Sequence, residues 1–275
     1  MRAAIDIGSN SVRLAIKGGA RRSVITKLAD GIETTGRLSE RGIAATLDAL
    51  KSFAEECAAA NATDVTVFAT EAVRRASDGN AFCAEVKRAT GFTVRILSER
   101  EEAEFALRGA VKPSGAVTVC DLGGGSMEVI SASDGVTPEY VKSLPLGVVV
   151  LKNRFDGNYR AAIDTAPSLV KEYGKVKPYP LVLIGGSACA IAAAMLNLSV
   201  YDPKKINGAH FTAADLDDVM PIMLSNKLST LRPVVGKRVD TAPYGAIILQ
   251  ALINHIGATD FYVSDSSNLE AALNM

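Results

Sequence analysis

The chain has 275 residues, 48% hydrophobic and 22% charged, so a large core can form, global disorder is excluded, and the length suits two domains. Thirty basic side chains balance thirty acidic ones. This removes any global electrostatic argument for nucleic acid or an anionic membrane and leaves anion binding to a local site. Two histidines, His210 and His255, exclude a site built on a histidine cluster; four scattered cysteines, Cys57, Cys83, Cys120 and Cys189, read as reduced thiols of a cytoplasmic protein.

In chain order, the segment AAIDIGSNSVRLAI (residues 3–16) places an apolar run, a Gly/Ser/Asn turn and an alternating run in succession, the pattern of a β-hairpin. Residues 39–61 carry a helical stripe at Ile43, Leu47, Leu50, Ala54 and Cys57. A strand is expected over 65–69, a helix over 80–90 ending at Gly91, a strand over 92–97 and a helix over 98–110, followed by a Lys-Pro-Ser-Gly linker at 112–115. The segment TVCDLGGGSMEVI (118–130) then repeats the opening unit: D-[IL]-G-x-x-S occurs at Asp6–Ser11 and at Asp121–Ser126. Further strands are expected over 181–184 and 261–264, and helices over 213–226, 244–256 and 268–273. The charge-free stretch 178–201 is split by Gly185-Gly186-Ser187 into a buried strand and a helix, in preference to a membrane span, and the N-terminus lacks the apolar run of a signal peptide. The duplicated unit predicts an α/β protein of two similar domains, 1–113 and 114–275, with the last helix a candidate to pack back on the first.

The turns carry the chemistry. Glycine permits close approach to a ligand and positive φ, successive N–H groups form an anion-binding concavity, and a serine hydroxyl adds a donor. This makes Gly8, Ser9, Asn10 and Ser11, and again Gly123, Gly124, Gly125 and Ser126, candidate phosphate-binding residues. One copy is as readily an ordinary turn; the second favours a phosphate clamp facing across a cleft. Asp6 and Asp121, at the strand ends, suit a divalent cation, directly or through water. The third turn, Gly185, Gly186 and Ser187, opens a helix and suits an anion, or is a plain turn with Ser187 as N-cap. Arg74 and Arg75 are candidates for phosphate contact, or lie on a solvated helix face.

Ser98-x-x-Glu101 is a capping box, which assigns Glu101 a structural task. Glu102 instead shares a helix side with Phe105, Ala106 and Gly109. A carboxylate on an apolar face tends toward a raised pKa, suited to a general base acting on water; the alternative is a buried glutamate paired with an arginine such as Arg74. Glu128 points away from Met127 and Val129, and with Asp121 is a candidate pair for a divalent cation, or else an exposed strand residue. Arg13 occupies the matching position after the first turn.

The stretches AIDIGSNSVRLAI, TGRLSERGI, FATEAVRRA, ILSEREEAEFALRGAV, VCDLGGGSMEVI, SLPLGVVVLKNRF and IGGSA together resemble the Ppx/GppA phosphatases, exopolyphosphatases and guanosine pentaphosphate phosphatases of the actin/hexokinase/Hsp70 superfamily. The resemblance implies two RNase H-like domains around a cleft, in the family's short form. It also implies Mg²⁺-dependent release of terminal phosphate from polyphosphate or guanosine pentaphosphate. The family's catalytic glutamate falls on Glu102, its Mg²⁺-binding carboxylates on Asp121 and Glu128, and the arginine after its ATxAV motif on Arg74. The chain departs from the family pattern at Glu99, Asp78, Asn207-Gly208 and the terminal SSNLEAA. A small-molecule kinase or ATPase of the same superfamily, supported only by the third turn, and a non-catalytic polyphosphate or nucleotide sensor are the competing functions. Expected partners are the phosphorylated substrate and, as a candidate assembly, a homodimer, with no nucleic acid and no membrane.

Overall fold

The computed structural model describes residues 1–266 and 268–275. The chain separates into two compact units, Met1–Gly109 with Asn268–Met275, and Ala110–Ser267. Ser267, inside the SSNLEAA stretch, lies outside the described residues.

The first unit contains β1 (Arg2–Ile7), β2 (Ser11–Ile16), β3 (Arg21–Ile25), α1 (Ile32–Thr35), α2 (Glu40–Ala59), β4 (Asp64–Ala69), α3 (Glu71–Arg75), α4 (Gly79–Thr90), β5 (Val94–Ile96) and α5 (Glu99–Gly109). Its sheet runs β3-β2-β1-β4-β5. The hairpin pairs are antiparallel, whereas β4 and β5 run parallel to β1. β1 is central, and its Ala/Ile-rich run is buried from Ala3 to Ile7, as a strand covered on both faces requires. Ser39 caps α2 by accepting from the Gly42 N–H, and the α2 stripe places Leu50, Phe53 and Cys57 in the core with Ile5, Ile7 and Leu14.

The second unit contains β6 (Val117–Leu122), β7 (Met127–Ala132), β8 (Tyr140–Leu144), α6 (Val148–Phe155), α7 (Tyr159–Val170), β9 (Leu181–Ile184), α8 (Gly186–Met195), α9 (Pro203–Ile206), β10 (Ala209–Thr212), α10 (Ala213–Met223), α11 (Arg232–Val235), α12 (Ala242–Ile256) and β11 (Asp260–Ser264). Its sheet repeats the first arrangement as β8-β7-β6-β9-β11, with β10 added antiparallel at the edge. The charge-free stretch forms β9 and α8, both buried in this unit's core. Among the described residues no helix is long and apolar enough to cross a membrane. The final helix, α13 (Asn268–Leu273), packs on α5 and β1 of the first unit.

The repeat extends to the register. Ile7 faces Val12 and Asp6 faces Arg13 in the first hairpin; Leu122 faces Met127 and Asp121 faces Glu128 in the second. Both turns close the same way, with Gly8 N–H on Ser11 O at 3.1 Å and Gly123 N–H on Ser126 O at 3.0 Å. Two such sheets make the α/β, twice-RNase H-like architecture of the actin-like ATPase fold. Strands β3, β8 and β10 and helices α6 and α7 were not marked in the sequence. β3 is exposed along its length, so it has no alternation to detect, and α7 holds an internal proline, Pro167, that reads as a breaker.

Candidate active site

Parallel strands in each unit bring their C-terminal ends to one sheet edge, where loops collect functional groups. In the first unit that edge carries the Gly8–Ser11 turn after β1, Thr70 and α3 after β4, and Leu97 and α5 after β5. Asp6 is 2% exposed and its Oδ2 is paired with Arg13 Nη2. Asp6 Oδ1 is buried and has no hydrogen-bond partner among the described residues. That oxygen is the one this aspartate could offer to a cation. The carbonyls of Ser9 and Asn10 accept from Ala29 N–H, and from Thr26 and Lys27 N–H.

Ser98 and Glu101 form the capping box: Ser98 N–H donates to Glu101 Oε2 at 2.8 Å and Glu101 N–H to Ser98 Oγ at 3.3 Å. The Ser98 backbone N–H, then the Ser98 hydroxyl and Arg95, hold the Glu101 carboxyl down to about 2. Glu102 turns inward beside this cap, on the helix side that carries Phe105 and Ala106. Its Oε2 accepts from Arg74 Nη1 at 3.0 Å, and Arg74 Nη1 also donates to Leu97 O at 2.7 Å. Glu102 is thus a half-buried glutamate paired with Arg74, as the second reading has it, set on the edge that bears the first turn. Arg75 instead pairs with Glu71 one helical turn back, on the exposed side of α3. Asp78, the acidic departure after the ATEAVRRA stretch, is paired with Arg37 at 3.3 Å and accepts from Leu38 N–H, so its charge has a structural use.

In the second unit the corresponding edge carries the Gly123–Ser126 turn after β6 and Gly185–Ser187 after β9. Asp121 and Glu128 are directly opposed across β6 and β7, hence on one face, where the first unit has the oppositely charged Asp6–Arg13 pair. Like charges so placed repel, and a divalent cation would relieve that repulsion. Glu128 Oε1 accepts from Ser143 Oγ at 2.6 Å, across from it on β8. Among the described residues no group of three or more His, Cys, Asp or Glu gathers as a metal site. A carboxylate pair is nevertheless the donor set Mg²⁺ takes when substrate phosphates and water complete its octahedron, so Asp121 and Glu128 fit that ion.

Two expectations about the turns need correction. None of Gly8, Gly123, Gly124 and Gly125 adopts positive φ; of the glycines in the three turns only Gly185 does, at +93°. A Cβ on Gly8 or Gly123 would stand 3.2 or 3.1 Å from the carbonyl oxygen of Ser11 or Ser126, and one on Gly125 would meet nothing within 4 Å. Ser187 is not the N-cap of α8: Gly185 is, with no side-chain cap, and Ser187 lies one position inside the helix. The third turn stands against Asp121, since a Cβ on Gly185 would fall 2.6 Å from Asp121 Oδ1. On its other side the movable Arg238 guanidinium lies against Gly186. Arg238 and Gly147, which abuts the Gly123–Ser126 turn, were both missed in the sequence. Each lies far along the chain from the glycines it touches, and no local pattern signals such a contact.

The two sheets define a protein of the actin-like ATPase fold. The model of the Ppx/GppA phosphatase family matches residues 9–270, and the chain belongs to that family. Exopolyphosphatase 2 of Mycobacterium tuberculosis is 30% identical over 92% of this chain and 90% of its own length. The guanosine-5'-triphosphate,3'-diphosphate pyrophosphatase of Photobacterium profundum is 31% identical over 70% of this chain, a match covering 43% of that longer protein. The crystal structure of the Aquifex aeolicus member of the Ppx/GppA family superposes with a TM-score of 0.82 at 28% identity, covering 98% of this chain and 95% of that one.

Proposed function

We propose that the protein is a Mg²⁺-dependent hydrolase that releases the terminal phosphate of inorganic polyphosphate or of guanosine pentaphosphate. The observation that carries this reading is Glu102, held by Arg74 on the same sheet edge as the Gly8–Ser11 turn. In this reading Glu102 is the general base and the Gly8–Ser11 turn binds the anion. Glu102 orients the attacking water and takes its proton as the new P–O bond forms; the bond to the remaining phosphate chain breaks, and that chain leaves with the electron pair. Arg74 holds Glu102 in place. Each duplicated turn offers N–H groups and a serine hydroxyl, Ser11 or Ser126, to phosphate oxygens. Asp121 and Glu128 would hold Mg²⁺, which when bound neutralises charge on the phosphates. Names of relatives support both substrates and do not separate them. The kinase or ATPase alternative rests on the third turn alone.

Phosphate release from long polyphosphate, tripolyphosphate, guanosine pentaphosphate and ATP, with and without Mg²⁺, tests the reading. Mg²⁺-dependent release from polyphosphate or the pentaphosphate is expected. Release from ATP alone, or from none of the four, would overturn it.

A further inference from the structure

We propose that Gly147 and the first turn of α6 are the positioning elements of the Gly123–Ser126 turn, aiming its N–H groups at a phosphate; the proposal rests on the phosphate-binding reading of that turn. The residues concerned belong to the SLPLGVVV stretch, which after Ser143 carries no charged or nucleophilic side chain.

The first N–H groups of a helix have no partner within it. In α6 they are taken by the turn: Val148 N–H donates to Gly123 O at 3.1 Å, Val149 N–H to Gly124 O at 2.9 Å, and Val150 N–H to the same oxygen at 3.4 Å. A trans peptide unit points its C=O and its N–H in opposite directions. Fixing the carbonyls of Gly123 and Gly124 on α6 therefore aims the N–H groups of Gly124 and Gly125 away from the helix. Those two N–H groups donate to no acceptor among the described residues.

Contact this close needs glycine on the helix side. A Cβ on Gly147 would fall 2.5 Å from the carbonyl carbon of Gly125 and closer still to the carbonyl of Gly124. These are backbone atoms, so no rotamer change relieves the overlap. The arrangement also has an electrostatic consequence. The positive end of the α6 dipole polarises the Gly123 and Gly124 carbonyls, and hydrogen bonds in series strengthen one another, so the outward N–H groups become better donors to an anion. In the first unit the carbonyl matching that of Gly124 belongs to Ser9 and accepts from Ala29 N–H, in a stretch that precedes α1 and is not helical. The helix-backed turn is thus peculiar to the second unit.

Proline at position 148 tests this role by displacing the turn without ending the helix. Val148 is the first residue of α6, where proline is favoured, and Gly147 before it is extended at φ −91°, ψ 163°, as a residue preceding proline must be. Val148→Pro puts the ring Cδ where the N–H now meets Gly123 O, driving that carbonyl off α6 while the helix persists; Val148→Ala trims the same buried side chain and keeps the N–H. Binding of tripolyphosphate is measured by calorimetry in a Glu102→Gln background, where turnover is suppressed. Val148→Pro should bind roughly threefold to tenfold more weakly than Val148→Ala, and Gly147→Ala roughly tenfold or more weakly than the parent. Equal affinity of Val148→Pro and Val148→Ala overturns the proposal, and it is the deciding pair if Gly147→Ala does not fold. A Glu102→Gln protein that fails to bind tripolyphosphate also overturns it. Phosphate release by the protein with Glu102 intact is judged separately: binding without release would refute the hydrolase reading and leave the positioning result standing.

Discussion

Replacing Glu102 by glutamine separates catalysis from stability, because the structure sets very different magnitudes for the two. Glu102 Oε2 and Arg74 Nη1 are 3.0 Å apart, with the side chains 19% and 23% exposed. A hydrogen bond between charged groups contributes about 1.5–3 kcal/mol. The glutamine carbonyl still accepts from Arg74, and Arg74 keeps its bond to Leu97 O. A loss near 1 kcal/mol is the reasonable value, or a fall in Tm of roughly 2–8 °C. Against a total stability on the order of 5–15 kcal/mol, that leaves nearly every molecule folded. The amide cannot take a proton from water, and a general base contributes about 10²–10⁴ in rate. Single-turnover phosphate release, together with KM from steady-state kinetics and Tm from calorimetry, reads these quantities. The expected result is a 10²–10⁴-fold drop in kcat with KM and fold little changed. A folded Glu102→Gln protein with kcat within about threefold of the parent would refute the assignment, since general-base loss cannot be that small.

Asp121→Asn and Glu128→Gln should each raise the Mg²⁺ concentration needed for half-maximal phosphate release, and Mn²⁺ binding followed by paramagnetic resonance should weaken in parallel; two unchanged profiles would place the metal elsewhere. Ser11→Ala should weaken tripolyphosphate binding roughly tenfold, as for one lost hydrogen bond to a charged group, with isothermal calorimetry as the check. Glu101 supplies a pH signature. Its carboxyl titrates near 4.5 unfolded and about 2 folded, so its contribution is fully present above pH 4.5 and is lost as pH falls through 2. Amide exchange of the first turn of α5 should accelerate across that window, and Glu101→Gln should remove the dependence while keeping most activity.

The sequence by itself determined what depends on neighbours along the chain. The duplicated D-[IL]-G-x-x-S unit specified two hairpins, and its spacing placed Asp121 opposite Glu128, because register in a tight hairpin follows from the length of the turn. The S-x-x-E box and helical periodicity separated Glu101 from Glu102 for the same reason: both are properties of one helix end. Only the tertiary structure decided what joins distant segments. Arg74 reaches Glu102 because β4 and β5 run side by side and end at one edge. The carbonyls of Gly123 and Gly124 are turned by α6, the space beside Gly186 is taken by Arg238, and the last helix returns to the first unit. These contacts depend on packing between elements, and a one-dimensional pattern holds no term for the atom that approaches from elsewhere in the chain. Gly147 makes the difference concrete: in sequence it is one glycine before an apolar run, and in the fold it is the one residue type that lets a helix reach the turn it supports.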